Sequence, residues 1–212
     1  MSFAGAIFDL DGTLVDTSRD ITASVNHVRA AFGLEPISLA EAMRYIGDGL
    51  HLLMQRVVVP AGEKLARAVE TYRAHHAEHF KDKAALYEGA TDALGRLEGA
   101  GIKMAVVSNK PHRFALALLE HLDVAQHFTH VLGEETQPAK KPAPDGLLFV
   151  LKEWDLEPAR AVMVGDSHQD VESGRAAGCR TIWCSYGFGE PRAAKPDFTA
   201  GSMREVAEIV LE

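Results

Sequence analysis

Asp9, Asp11 and Asp16 all fall in the stretch FDLDGTLVDT, directly after an apolar run, and Gly12 follows the second of them. Carboxylates that close repel one another unless something positive sits among them. In an extended strand, residues i and i+2 point the same way, about 6.5–7 Å apart. Asp9 and Asp11 are therefore expected on one side, with Leu10 turned to packing and Gly12 letting the chain turn sharply. Further along, Ser108 and Asn109 stand in VVSNK, Lys141 in KKPAP, and Asp166 and Asp170 in VGDSHQD. Carboxylates with no histidine or cysteine beside them suit a hard cation, Mg²⁺. Such a set points to phosphoryl chemistry. A carboxylate about 4 Å from a phosphate dianion meets roughly 8 kcal/mol of repulsion at an effective dielectric of about 20. A divalent ion between them, with Lys141 beside it, turns the sum attractive and lets one carboxylate act as nucleophile.

The elements that must hold these residues are short. Five apolar runs rich in Val, Ile and Phe read as buried parallel strands: residues 3–8, 103–107, 129–132, 161–164 and 181–184. Helical patterns over 91–98, 114–122, 145–154 and 168–177 alternate with the later ones. Alternation of this kind predicts an α/β fold, a doubly wound, mostly parallel sheet. Sites in such sheets form beyond the carboxyl ends of the strands, at the switch in strand order. Asp9, Ser108 and Asp166 each stand at a strand end. GRAAG, residues 174–178, has the small side chains of a helix packed closely on a sheet, and SMRE at 202–205 reads as a capping box.

From Asp16 to about Lys83 the pattern is helical throughout. Thr17 or Ser18 would cap a helix running to Phe32, Ser38 a second ending near Gly47, and Asp48 a third ending at Pro60; Glu63–Phe80 would be a fourth. The expected organisation is a catalytic core of residues 1–15 and 84–212 and a smaller all-helical domain of residues 16–83 inserted after the first strand. His75, His76 and His79 stand close together in that insert, but without a third ligand at HExxH spacing they read as a solvated helix face.

The chain has 212 residues, with 47% hydrophobic and 25% charged, the balance of an ordinary globular protein. A net charge of −8 argues against nucleic acid as partner. No apolar run approaches the length of a membrane span, and MSFAGAIFDL lacks the basic start of a signal peptide, so neither membrane nor export is expected. Cys179 and Cys184, in the strand-like CRTIWC, read as buried reduced thiols, and the cytoplasm is the expected compartment.

DLDGT (Asp9 to Thr13), VVSNK (Val106 to Lys110), KKPAP (Lys140 to Pro144) and VGDSHQD (Val164 to Asp170) together resemble the four motifs of the haloacid dehalogenase superfamily. Within it, SNKP, KKPAPDGLL, GDSHQDVESGRAAGC and YIGDGL look most like bacterial phosphoglycolate phosphatases. The resemblance implies a Rossmann-like core with a mobile helical cap, and these roles. Asp9 attacks phosphorus and becomes an aspartyl phosphate. Asp11 protonates the leaving alkoxide, then takes a proton from water. Gly12, Thr13, Ser108, Asn109 through its backbone, and Lys141 surround the phosphoryl group. Asp9, Asp166 and the Asp11 carbonyl hold Mg²⁺, while Ser167 and Asp170 lie behind them, Asp170 orienting Lys141 or a water on the metal. An acid at Asp11 favours C–O–P cleavage, because relatives that release halide or cleave phosphonates lack it. Gly47, Asp48 and Gly49 in the cap are candidate substrate contacts. The implied partner is a small phosphorylated metabolite, best 2-phosphoglycolate, and the protein a monomer or homodimer. A β-phosphoglucomutase-like phosphomutase, an inorganic pyrophosphatase and a catalytically silent binding protein are the alternatives.

Overall fold

A computed structural model of the chain describes residues 3–47, 49–58 and 62–212. Its elements in chain order are β1 (Gly5–Phe8), β2 (Val15–Asp16), α1 (Ser18–Ala31), α2 (Leu39–Met43), α3 (Leu50–Val57), α4 (Glu63–His79), β3 (Ala85–Leu86), α5 (Ala90–Gly99), β4 (Lys103–Val107), α6 (His112–His121), β5 (His130–Leu132), α7 (Asp145–Glu153), β6 (Ala161–Gly165), α8 (His168–Ala176), β7 (Arg180–Cys184), β8 (Phe198–Ala200) and α9 (Met203–Leu211). The chain divides into two compact units, Met1–Asp16 with Leu86–Glu212, and Thr17–Ala85.

The first unit is built on a six-stranded sheet of order β5-β4-β1-β6-β7-β8. Every neighbouring pair runs parallel. This is the α/β fold that the alternation of apolar runs predicts. The order descends from β5 to β1 and then rises, so β1 is the switch, flanked by β4 and β6. Phe8 is in register with Val106 on one side and Val164 on the other. Residues 9, 108 and 166 therefore follow the tips of three adjacent strands.

Alternation along β1 sends Ile7 into one apolar layer with Val107, Leu147, Val150, Leu151, Trp154 and Met163. Phe8 faces the other way and meets Phe128 edge-on, with ring centroids 6.2 Å apart. Gly174 on α8 shows why GRAAG is small: a Cβ there would lie 2.6 Å from Thr181 and 2.8 Å from Met163. Cys179 and Cys184 are free and buried. Two details differ from the sequence reading. A sixth strand, β8, closes one edge; with two of its three residues exposed, it carries no apolar run to detect. In α9, Ser202 Oγ accepts from the Glu205 amide (3.2 Å), but the Glu205 carboxylate accepts from Gly201 rather than completing the box with Ser202.

The second unit is helical, apart from a terminal residue of β3. Helices α1–α4 enclose their own core of Ile21, Val25, Val28, Met54, Ala68, Val69 and Tyr72. Ser38 caps α2, accepting from the Glu41 amide at 3.2 Å, as its sequence suggests. Helix α2 stops at Met43, ahead of the expected end near Gly47. The cap position of α3 belongs to Gly49, at φ +94°. Asp48 and the expected helix end at Pro60 lie outside the described residues. The expected solvated histidine face needs correcting too. His76 is buried, because it lies on the side of α4 that packs on α1, where its Nδ1 is 3.1 Å from Ser24 Oγ. Among the described residues, no helix is long and apolar enough to cross a membrane.

Candidate active site

β1 ends at Phe8, so Asp9 is the first residue past the strand. Its amide still bonds to the Val164 carbonyl (2.9 Å), which fixes where its side chain starts. β4 delivers Ser108 in the same way, with its amide on Leu132 O at 3.0 Å. Asp166 follows Gly165, the last residue of β6, and Asp170 lies in the first turn of α8.

These ends converge on an ion network. Lys141 Nζ lies 2.8 Å from Asp9 Oδ1 and 2.6 Å from Asp170 Oδ1, and only 2% of its side chain is exposed. Asp9, Asp166 and Asp170 each offer a carboxylate oxygen within 4.8 Å of the others. Burial would lower the Lys141 ammonium, but Asp170 and Asp9 outweigh it and hold the amine above its ordinary value. Burial pushes the Asp9 carboxyl up to about 6 against the pull of Lys141. Burial, then the charges of Asp170 and Asp9, raise Asp166 well above the usual carboxylate range. One lysine thus meets two of three clustered, buried acids. All the donors are hard oxygens, so the cluster fits a divalent cation of the Mg²⁺ type.

The surrounding bonds hold each part in place. Asp170 Oδ2 accepts from the amide and the hydroxyl of Ser167 (2.9 and 2.7 Å), which leaves Oδ1 turned to Lys141. Asn109 ties two loops together. Its Oδ1 accepts from the Lys141 amide, and its Nδ2 donates to Lys141 O and to Gln169 Oε1, each at 2.9 Å. Ser108 Oγ accepts from the Lys110 amide at 3.3 Å. The Thr13 hydroxyl is buried without a hydrogen-bond partner among the described residues, while its carbonyl accepts from Tyr186 Oη (2.9 Å).

Asp11 is set by the turn after β1. The strand stops before Asp9, so strand alternation does not govern it, and Gly12 (φ +87°) turns the chain there. The Asp11 carboxylate meets Lys110, whose Nζ is 3.1 Å from both of its oxygens. Asp11 is not in the group formed by Asp9, Asp166 and Asp170.

Two features of the candidate site escaped the sequence reading. Lys110 sits in the SNK run, but nothing in that run names an acid 99 residues away. The loop after β7 wraps Asp166: the amides of Phe188 and Gly189 donate to Asp166 Oδ2 (3.1 and 2.7 Å), and Trp183 Nε1 donates to its carbonyl (2.7 Å). The alternating glycines of YGFGE were the available signal, since consecutive amides make a nest for an anionic oxygen. A Cβ on Gly187 would lie 2.4 Å from both Asp166 Cβ and Gly12 O.

This arrangement has close parallels. Residues 6–184 match the family model described as haloacid dehalogenase-like hydrolase. Phosphoglycolate phosphatase 1 of Pseudomonas aeruginosa is 37% identical over 221 residues, covering 97% of this chain and 81% of that one. The phosphoglycolate phosphatase of Chromobacterium violaceum is 32% identical over 209 residues, covering 96% and 94%. The crystal structure of a predicted phosphoglycolate phosphatase from Haemophilus somnus superposes with a TM-score of 0.91 at 26% identity, covering 99% and 98%. The shared fold, the matched length and the acid–lysine cluster at the switch point agree: the chain belongs to the haloacid dehalogenase-like hydrolases and is an enzyme of the phosphoric monoester hydrolase class.

Proposed function

We propose that this enzyme is a Mg²⁺-dependent phosphatase that hydrolyses a small phosphomonoester through an aspartyl phosphate on Asp9, with 2-phosphoglycolate as its substrate. The observation that carries the mechanism is the grouping of Asp9, Asp166 and Asp170 beyond the tips of adjacent strands, with Lys141 on Asp9 and Asp170. Asp9 and Asp166, with the Asp11 carbonyl, would hold the ion. Bound there, it supplies positive charge that offsets the repulsion between the carboxylates and the phosphate dianion.

Asp9 attacks phosphorus as the P–O bond to the substrate's carbon-bearing oxygen breaks. Asp11 gives its proton to that departing oxygen, and the alcohol leaves. Asp11 then takes a proton from water as the water oxygen attacks the phosphorus of the aspartyl phosphate, freeing phosphate and restoring Asp9. Lys141, Ser108 and the Asn109 amide hold the phosphoryl oxygens during both steps, with Gly12 and Thr13 shaping the turn beside them. Asp170 and Ser167 keep Lys141 aimed at Asp9. The free, buried cysteines support a reducing cytoplasm as the setting.

The substrate rests on the names of the two relatives and is the part to test first. A panel of phosphorylated metabolites with Mg²⁺, read by free phosphate, should rank 2-phosphoglycolate highest. Hexose phosphates far ahead of it would remove the substrate assignment and leave the reaction class. Interconversion of sugar phosphates with little phosphate released would make the enzyme a mutase, and rapid cleavage of pyrophosphate a pyrophosphatase.

A further inference from the structure

We infer that Lys110 is a positioning residue for the acid–base group, holding the Asp11 carboxylate toward the departing oxygen. The inference rests on the reading of Asp9 as nucleophile and Asp11 as acid. Its starting point is geometric. Lys110 Nζ bridges both oxygens of Asp11 at 3.1 Å each, and its side chain is 5% exposed against 19% for Asp11. A contact to both oxygens restrains the twist of the carboxylate about its terminal bond, which a contact to one would leave loose.

Lys110 is itself anchored. Its amide donates to Ser108 Oγ (3.3 Å), and its carbonyl accepts from the Glu134 amide (2.9 Å). Burying a lysine costs several kcal/mol unless a well-placed anion meets it, as Asp11 does here. The two buried lysines divide the acids between them: Lys141 takes Asp9 and Asp170, and Lys110 takes Asp11. One cation serves the attacking side of the reaction and the other the leaving side. A misdirected acid harms only the steps that need its proton. Release of a good leaving group should therefore be indifferent to Lys110, and release of an alkoxide should depend on it.

The test compares p-nitrophenyl phosphate with benzyl phosphate, two esters of similar shape, in single-turnover experiments with Mg²⁺. Nitrophenolate departs without a proton, and benzyl alcohol needs one. With Lys110→Met, benzyl alcohol release should slow about tenfold or more, within the 10²–10⁴ that general acid catalysis supplies. The single-turnover rate of nitrophenolate release should stay near wild type. Lys110→Arg should restore much of the loss, and Asp11→Asn/Lys110→Met should be no slower than Asp11→Asn. Equal slowing of both esters, or additive losses in the double variant, would overturn the inference. If Lys110→Met does not fold by circular dichroism, Lys110→Gln carries the same comparison. Asp9→Asn separates the two levels. Nitrophenolate release that survives in that variant removes the nucleophile reading; lost release with no split between esters for Lys110 removes only this inference.

Discussion

In the sheet unit, Lys141 lies between Asp9 and Asp170 with almost no solvent contact. In the helical unit, one buried polar cluster is built on an imidazole: His76 Nδ1 meets Ser24 Oγ at 3.1 Å, and His75 Nδ1 meets the same oxygen at 3.1 Å. A short column of rings runs beside them, His27 against His75 at 4.2 Å and His75 against His79 at 4.4 Å. These two clusters bury polarity by different physics. A carboxylate cluster cannot shed its charge cheaply, so it needs cations, and stability alone would favour replacing it with apolar residues. An imidazole can be buried neutral, hydrogen-bonded and stacked, which makes it serviceable packing. The costly arrangement marks chemistry, and the inexpensive one marks structure.

Breaking the charged side of this contrast should have the largest effects. Asp9→Asn is nearly isosteric and should lower turnover by at least about a thousandfold, the scale of losing a nucleophile. Its far-ultraviolet circular dichroism should match wild type, and a variant with the wild-type rate would falsify the assignment. Lys141→Met leaves the buried Asp9 and Asp170 without their ammonium and should cost about 3–5 kcal/mol in urea unfolding. Millimolar-range Mg²⁺ should recover more stability in this variant than in wild type; identical Mg²⁺ responses would argue against a cation site at the cluster. Gly12→Ala puts a methyl 2.1 Å from Asp166 Oδ2 at a φ of +87°. The strain should lower stability by about 1–3 kcal/mol and reduce turnover as well. A loss of stability with kcat unchanged would show that the turn is only structural.

The helical side predicts a smaller, pH-dependent effect. Burial, then the neighbouring His27 and His79, lowers the His75 pKa below its ordinary 6.5, against the opposing pull of Glu78 and Asp82. A depressed histidine pKa means the unfolded chain binds the proton more readily. Its contribution is fully present above the unfolded value and is lost as pH falls toward the folded one. Amide protection factors in α1 and α4 should therefore fall as pH drops from about 7 to about 5, and His75→Phe should flatten that dependence. An unchanged slope in His75→Phe would assign the sensitivity to other groups.

The contrast also explains what could be read from the chain in advance. Asp9, Ser108, Asp166 and Lys141 were legible because strand tips and the loops after them are local features, and parallel topology then brings tips together. The helical insert was legible from its unbroken helical periodicity. His76 was not: a histidine carries no apolar signal of its own, and the packing of α4 on α1 puts it inside. Nor was β8, three residues long with a threonine at its centre, nor the embrace of Asp166 by Phe188 and Gly189.

From the sequence alone came the kinds of element, their order and the reactive side chains at their ends, because hydrophobic period and turn residues act over a few positions. The tertiary structure alone decided the partners. Lys110 rather than a strand neighbour meets Asp11, Lys141 bridges Asp9 and Asp170, and a glycine loop closes on Asp166. Each of these contacts joins residues far apart in the chain. Their geometry depends on how strands stack in register and where loops return, and no local pattern encodes that.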